Sequence, residues 1–319
     1  TQNLYYNTGN NTACYNGNIS SMTWKSGTES ATRGYKFTYD NLNRMKNAVY
    51  GEGTTISANA GRFSENITGY DRNGNITSLQ RYGKSSGTAY GIIDNLTIAY
   101  TGNQLKYAND AATDPLYNGA FNFVDGSNST GNEYIFDRNG NLQQDYNKKI
   151  SKIQYNQLNL PSTQQFTNGN RADYLYGADG VKRRVTHKTA IANISVPMGQ
   201  IKELTSGQVS QTHTTDYCGN MIYENGNLSK ILTEEGFVTV SGTTPTYHYY
   251  LKDHQGNNRV VLHQNGTTVE QVNHYYPFGG LFGEGTATSN QAYKYNGKEL
   301  DRMHGLDWYD YGARMMDAA

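Results

Sequence analysis

The chain has 319 residues, of which 35% are hydrophobic and 17% charged, and its charged side chains balance to a formal net charge of zero. Globular proteins usually have an apolar share of roughly 45–50%, so this chain lacks the aliphatic mass of an ordinary core. The only basic clusters are Lys148-Lys149 and Lys182-Arg183-Arg184. They do not make the basic stripe of a nucleic-acid-binding protein, and no run approaches the roughly 20 apolar residues of a membrane span.

The missing apolar mass is replaced by 28 tyrosines and 35 glycines, together with many asparagines. Tyrosine is a strong strand former, with an apolar ring and a hydroxyl that tolerates water. Glycine and asparagine accept the positive φ of tight turns. The composition therefore predicts an all-β fold built from many short strands joined by tight turns.

The dipeptide Asn-Gly recurs along the chain, and between extended segments it is the strongest short-range signal for a type I′ hairpin. It occurs at Asn16-Gly17, Asn73-Gly74, Asn118-Gly119, Asn139-Gly140, Asn168-Gly169, Asn225-Gly226, Asn265-Gly266 and Asn296-Gly297. Asp125-Gly126 and Asp179-Gly180 are conservative variants. Repetition on this scale predicts a repeat architecture of β-hairpins.

The repeat unit is clearest at Tyr70-Asp71-Arg72-Asn73-Gly74-Asn75, which is nearly duplicated at residues 136–141. An aromatic residue ends one strand, a polar turn follows, and an aliphatic residue begins the next strand. We expect the Asp after the aromatic residue to bind the backbone of the turn. Looser copies begin at Tyr39, Tyr155, Tyr176 and Tyr223.

A different pattern begins near residue 246, where we place a boundary between a repeat region (1–246) and a C-terminal region (247–319). Strands are predicted at Tyr247–Lys252, Arg259–His263 and Thr267–Tyr276, ended by Pro277-Phe278-Gly279-Gly280. The third strand has polar residues on both faces, which predicts a wall wetted on both sides rather than a sandwich core. The only predicted helical turn is Lys298–His304, stopped by Gly305.

These motifs resemble the Rhs/YD-repeat family of bacteria, which shares its YD repeats with the teneurins. The repeats match loosely over most of residues 12–246. The C-terminal region is more specific, since residues 250–259, 275–279, 293–301 and 305–314 resemble, in order, the Rhs repeat-associated core domain. The residues that carry the resemblance are Tyr70, Asp71, Gly74, Asn75, Asp137, Gly140, Asn141, Asp253, His254, Gly256, Asn257, Arg259, Pro277, Phe278, Gly279, Tyr295, Gly297, Trp308, Tyr309, Tyr311 and Arg314.

The resemblance implies a β-sheet that spirals into a hollow shell, with a core domain at one end and usually a variable toxin domain after it. Some family members cut themselves with aspartates in a segment beyond the core. This chain begins at Thr1 and stops at Ala319, before any such segment. We therefore expect a processed product or fragment that has neither a toxin nor self-cleavage activity, and that is short for a complete shell.

Other kinds of site are weakly indicated. His248, His254, His263 and His274 are spread over strands and a turn without the local spacing of metal ligands. The Asp71 and Asp137 turns differ from a calcium loop, because glycine stands at the fourth place and not the sixth. No motif singles out a nucleophile or a cofactor, so we expect neither catalysis nor a bound metal or cofactor. Cys14 and Cys218 allow one disulfide at most.

Two functions remain open from the sequence. The first is a scaffold, the C-terminal part of an exported Rhs/YD shell, secreted or on the cell surface, that encapsulates or displays a polymorphic toxin. The second is a cell-surface adhesion or carbohydrate-binding module, in which tyrosines, Trp24 and Trp308 would stack on glycans. The partners considered are a toxin domain or other parts of the parent chain, further copies of this chain, and glycans. Residues 293–315 are expected to pack back onto the strands at 247–276 as a plug.

Overall fold

The computed structural model describes residues 1–27, 29–112, 121–283, 285 and 291–318. Within these ranges the chain forms three antiparallel sheets, and within each sheet strands that neighbour in sequence also pair in space. The predicted all-β fold is confirmed. The predicted turn at Asn118-Gly119 lies outside the described residues.

The first sheet has eight strands. They are β1 Gln2–Tyr5, β2 Ser21–Trp24, β3 Arg33–Tyr39, β4 Met45–Glu52, β5 Glu65–Tyr70, β6 Ile76–Lys84, β7 Tyr90–Thr101 and β8 Gln104–Asp110. Its main apolar cluster includes Trp24, Tyr35, Tyr50 and Phe63, all buried. Aromatic rings thus supply the apolar area that aliphatic residues supply elsewhere.

The second sheet has thirteen strands. They are β9 Tyr134–Phe136, β10 Leu142–Asp145, β11 Ile150–Tyr155, β12 Pro161–Phe166, β13 Arg171–Tyr176, β14 Lys182–Ala190, β15 Val209–Cys218, β16 Met221–Glu224, β17 Asn227–Thr233, β18 Gly236–Ser241, β19 Thr244–Lys252, β20 Asn258–His263 and β21 Val269–Val272. Strand β19 runs through residue 246, so the sheet is continuous across the boundary placed there. The division into two regions stays a prediction.

The third sheet is small and we call it the C-terminal sheet. It contains β22 Glu299–Asp301, β23 Trp308–Asp310 and β24 Met315–Asp317. The predicted helical turn at Lys298–His304 is wrong, because Glu299–Asp301 pairs with Trp308–Asp310 as a strand. Helical structure among the described residues is limited to short 3-10 turns at Ser206–Gln208, Tyr295–Gly297 and Met303–Gly305.

The predicted three-strand meander is present as β19, β20 and β21, but its third strand is shorter than expected. Residues 273–276 leave the sheet, and residues 271–276 are buried without alternation. The prediction that both faces of this segment are wet is therefore wrong. The segment is buried because it packs against the first sheet, which its local sequence pattern does not encode.

Candidate functional site: the repeat turns, the anchor segment and the C-terminal sheet

The repeat turn is organised by the aspartate side chain. Asp71 Oδ1 accepts hydrogen bonds from the backbone N–H groups of Asn73 (2.9 Å) and Asn75 (2.8 Å), and Oδ2 accepts one from Asn75 Nδ2 (2.8 Å). These bonds hold the pKa of Asp71 below its usual range, with the Asn75 amide the largest cause. The predicted bond from the aspartate to its own turn is confirmed. The same geometry recurs at Asp137 with Asn139 and Asn141, and at Asp253 with Gln255 and Asn257.

The type of these turns differs from the prediction. Gly74 and Gly140 have positive φ, at 88° and 85°, whereas Asn73 and Asn139 do not. A type I′ turn needs positive φ at both central residues, so that assignment is wrong here. The turn is instead closed by hydrogen bonds from Gly74 N to Asp71 O and from Asp71 N to Asn75 O, a type I turn followed by a left-handed glycine. Both residues are left-handed at Asn225-Gly226 and Asn296-Gly297.

At several turns, the tyrosine that precedes the turn joins one repeat to the one before it. The Tyr70 hydroxyl donates to the Met45 carbonyl, just after the preceding turn, at 2.5 Å. Equivalent bonds run from Tyr39 to Ile19, Tyr100 to Ile76, and Tyr155 to Leu142. A ring with a polar tip can cover the sheet and bind the backbone at once, which explains why tyrosine recurs in the repeat.

Asparagines make a second link between neighbouring turns. The side-chain amides of Asn73 and Asn75 donate to the Asn103 side-chain oxygen, at 3.0 and 3.2 Å. The same clamp joins Asn16 and Asn18 to Asn43, and Asn139 and Asn141 to Asn159. The sequence repeat therefore encodes contacts between turns as well as the turns themselves.

The turn at Asp253 lies in the first of the C-terminal motifs, residues 250–259. Asp253 also binds Arg259 Nε at 2.7 Å, and the Arg259 guanidinium lies 5.3 Å from the Trp24 ring and 5.0 Å from the Tyr275 ring. Asn257 is buried and accepts the Asn296 N–H at 2.7 Å. The remaining motif residues are Gly256, with a φ of 81°, and His254, which is exposed.

Residues 274–282, which we call the anchor segment, insert between the sheets. Tyr276 and Phe282 join the apolar cluster of the first sheet, where Phe282 stacks on Phe63 at 4.1 Å between ring centroids. Phe278 packs against a second cluster of the first sheet. The sequence predicted only that Pro277-Phe278-Gly279 ends the meander. The insertion depends on long-range packing and was missed.

Gly279 is required for this insertion. Its φ is 98°, and a Cβ there would lie 2.7 Å from the Tyr295 ring. Its carbonyl accepts the Tyr309 hydroxyl at 3.1 Å, and the Pro277 carbonyl accepts the Tyr295 hydroxyl at 3.1 Å. Gly297 has a positive φ in the 3-10 turn that follows Tyr295. Tyr275 and Leu281 of the anchor segment also share a buried cluster with Leu300 and Tyr309 of the C-terminal sheet.

The C-terminal sheet is seated on the second sheet by paired charges. Lys182 Nζ donates to Glu299 Oε2 at 2.9 Å and to Asp310 Oδ2 at 2.6 Å, and the Tyr217 hydroxyl also binds Glu299. Burial alone would lower the pKa of Lys182, but the two carboxylates hold it above its ordinary value. Further pairs join His187 to Asp301 and Lys148 to Asp317. Lys148 and Lys182 come from the two basic clusters of the sequence.

A buried triad of charged residues in the first sheet binds the end of the chain, next to the C-terminal sheet. Arg81 Nε donates to Glu65 Oε1 at 2.9 Å, Nη1 donates to Asp94 Oδ2 at 2.6 Å, and Nη2 donates to the Ala318 carbonyl at 3.1 Å. Arg81 is 2% exposed, and both carboxylates are fully buried. Burial raises the pKa of Asp94 to about 6, against the opposing charge of Arg81. The triad was not predicted from the sequence, because Glu65, Arg81 and Asp94 meet only through the pairing register of three adjacent strands.

The predicted plug exists but contacts more of the protein than expected. Trp308 and Tyr309 are buried, and Trp308 packs with Ile150 and Phe166 of the second sheet. Tyr311 lies at the surface with its hydroxyl on Asn296, and Arg314 is exposed. Gly312 has a φ of 86°, which favours glycine, and no atom lies within 4 Å of a Cβ placed there.

The remaining candidate residues have ordinary structural positions. Trp24 and Trp308 are buried, so the suggestion that they stack on glycans is wrong. Cys14 and Cys218 are both free thiols. Among the described residues, no group of three or more His, Cys, Asp or Glu side chains is placed to hold a metal ion. None of the helical turns in the described ranges is long and apolar enough to cross a membrane.

One histidine joins the start of the first sheet to the anchor segment. Trp24 Nε1 donates to His274 Nδ1 at 3.1 Å, and His274 Nε2 lies 2.8 Å from Glu29 Oε1. Because an indole nitrogen only donates, Nδ1 must be unprotonated and Nε2 carries the hydrogen toward Glu29. Burial lowers the pKa of His274, which agrees with a neutral ring.

No protein-family model and no curated protein matches the chain. Solved structures do match. A crystal structure of TcdB2-TccC3-TEV aligns with a TM-score of 0.56 at 16% identity, covering 99% of this chain and 16% of that chain. The Tc holotoxin pore of Photorhabdus luminescens, with a mutation in TccC3, aligns with a TM-score of 0.55 at 16% identity, again over 99% and 16%. A crystal structure of TcdB2-TccC3-Cdc42 gives 0.52 at 16% identity, over 93% and 16%.

The chain thus spans about a sixth of the length of these toxin-complex chains. At 16% identity, the similarity to these structures shows a shared fold and nothing more. The protein has an all-β, repeat-hairpin fold of the shell type, with a short C-terminal sheet packed against its two large sheets.

Proposed function

We propose that the chain is a structural scaffold, the C-terminal part of an exported Rhs/YD-repeat shell that encapsulates or displays a polymorphic toxin. The observation that supports this most is that the C-terminal sheet is bound by side chains from both large sheets. Arg81 from the first sheet binds Ala318, while Lys148 and Lys182 from the second sheet bind Asp317, Glu299 and Asp310. The first and second sheets therefore both hold the same C-terminal segment.

The fold shared with toxin-complex chains supports a scaffold role, and the buried tryptophans weigh against a carbohydrate-binding one. In this proposal the protein acts outside the cytoplasm, secreted or at the cell surface, with a toxin domain or other parts of a longer chain as its partner. The tyrosines and asparagines of the repeat stabilise the wall and do not bind a ligand.

A protease-protection experiment tests the proposal. A short polar segment with a single protease site is fused after Ala319, and the same segment is fused before Thr1 as the matched control. Because Ala318 is buried and bound by Arg81, we expect the C-terminal site to be cut at least about tenfold more slowly. Equal cleavage rates in the folded protein would contradict the proposal.

The scaffold proposal also includes the absence of enzymatic activity. The purified chain should remain a single band for days at neutral and mildly acidic pH, without hydrolase activity. A discrete fragment that disappears when one aspartate is replaced would show that the protein is an autoprotease.

A further inference from the structure

A cleft of about 190 Å³ lies where the first strands of the protein meet the meander. Its lining includes Gln2, Lys25 and Ser26 from the first sheet, and Lys252, Asp253 and Arg259 from the second. Three of these side chains are cationic and one is acidic. The whole chain has no net charge, so this is a local excess of positive charge.

The single carboxylate of the cleft has no capacity left for further donors. Asp253 Oδ1 accepts the backbone N–H groups of Gln255 and Asn257, and Oδ2 accepts Asn257 Nδ2 and Arg259 Nε. A carboxylate offers about four acceptor positions, and all four are used. Asp253 therefore organises its own turn and does not neutralise the two lysines.

Several hydrogen-bond donors that line the cleft have no side-chain acceptor among the described residues. Arg259 Nη1 and Gln2 Nε2 are buried without a hydrogen-bond partner among the described residues. Lys252 Nζ reaches only a backbone oxygen, that of Glu234, at 2.9 Å. Lys25 is exposed, and no ion pair is found for it within the described part of the chain. Leaving a buried donor unpaired is destabilising, which favours an acceptor at this place.

We propose that this cleft binds a small oxyanion, a phosphate or carboxylate group, between Lys25, Lys252 and Arg259. Arginine and lysine together supply the geometry that anionic oxygens prefer, with the planar guanidinium as the fixed element. The Trp24 and Tyr275 rings, on which the Arg259 guanidinium packs, hold it in place. Since the lysines come from different sheets, a bound anion would also join the start of the first sheet to the end of the second.

Titration calorimetry with inorganic phosphate tests the site, at fixed ionic strength maintained with sodium chloride. We expect saturable binding, weakened at least about fivefold by Lys25→Gln and by Lys252→Gln. Lys46→Gln is the matched control, because Lys46 is an exposed lysine on a strand away from the cleft. Each variant is first shown to have the melting curve of the parent protein.

Parallel titrations with citrate and acetate distinguish a phosphate source from a carboxylate source. Tighter binding of either class, lost in the two cleft variants and retained in Lys46→Gln, supports the site. Absence of saturable binding of all three anions, or equal binding by the parent and cleft variants, would overturn it.

Discussion

At the scale of single residues, the repeat is a set of hydrogen bonds with fixed donors and acceptors. The aspartate shapes its turn, at several turns the preceding tyrosine binds the previous repeat, and the asparagines bind the next turn. The sequence was sufficient to predict the aspartate's role, since an Asp two residues before a backbone N–H is a local feature. It was not sufficient for the asparagine clamp, because Asn73 and Asn103 approach only through the sheet.

The first prediction concerns Gly74. Replacing it with Ala should destabilise the protein by about 1–2 kcal/mol, because a side chain in the left-handed region is strained. Gly87→Ala is the matched control, since Gly87 lacks a positive φ and a Cβ there meets nothing within 4 Å. Chemical denaturation measures both. Equal effects of the two substitutions would show that the turn geometry is wrong.

In the same turn, Asn73→Ala should cost less than Gly74→Ala, because it removes the bond to Asn103 without requiring a new backbone conformation.

The pH dependence of stability follows from the Trp24–His274–Glu29 contact. Burial lowers the pKa of His274. For Glu29, burial is the largest cause and alone would raise the pKa, but the interactions with His274, Arg33 and the Ser26 N–H together lower it. A lowered pKa in the folded state means stability that is present above the unfolded value and lost as pH falls. Stability should therefore decline below about pH 6.5, the ordinary pKa of histidine.

Thermal unfolding between pH 7.5 and pH 5 measures this decline. The His274→Asn variant should be less stable at neutral pH, yet lose less stability on acidification than the parent protein. His263→Asn serves as a control because His263 makes no bond to the first sheet in the described structure. Identical pH profiles for the parent and His274→Asn would contradict the assignment.

At the scale of elements, the C-terminal sheet and the anchor segment depend on partners distant in sequence. The meander strands were predicted because their residues are local and bounded by turns. The 299–301 strand was missed because Lys298–His304 followed by Gly305 resembles a helix end, and only the pairing of residues 299–301 with residues 308–310 decides otherwise. The Lys182 contacts were missed for the same reason, since they join residues more than 100 positions apart.

Lys182 provides the sharpest test of the contact between the C-terminal sheet and the second sheet. The Lys182→Gln substitution leaves Glu299 and Asp310 without their counter-charge and should cost about 2–3 kcal/mol, at the lower end for a partly buried pair. Its neighbour Arg183 pairs with Asp179 at the surface, where about half of each side chain is exposed. Arg183→Gln should therefore have no measurable effect. Equal denaturation midpoints for the two variants would argue against a stabilising contact between Lys182 and the C-terminal sheet.

Deletion of the chain after Asn296 tests the C-terminal sheet as a unit. The deletion removes Trp308 and Tyr309 and uncovers the apolar residues beneath them, including Ile150, Phe166 and Tyr275. We expect a sharp increase in proteolysis and aggregation, measured by limited digestion and light scattering. A truncated chain as soluble and protease-resistant as the parent would mean that the C-terminal sheet is dispensable.

At the scale of the whole molecule, the open sheets of eight and thirteen strands both contact the C-terminal sheet, and they also meet directly where the Glu133 N–H donates to the Lys106 carbonyl. The composition predicted the all-β class, because tyrosine, glycine and asparagine leave few alternatives. The arrangement of the sheets did not follow from composition. It depends on the anchor segment entering the first sheet and on charges that meet across both walls.

Hydrogen–deuterium exchange of the C-terminal sheet tests the central claim most directly, because the claim is that both walls hold this segment. Amides of residues 299–301 and 308–310 should exchange as slowly as those of β13 and β14, since they pair within a buried sheet. The exposed turn at residues 312–314 is the internal reference for fast exchange. If residues 299–310 exchange as fast as this turn, the C-terminal sheet is not held by the walls, and the scaffold described here is wrong.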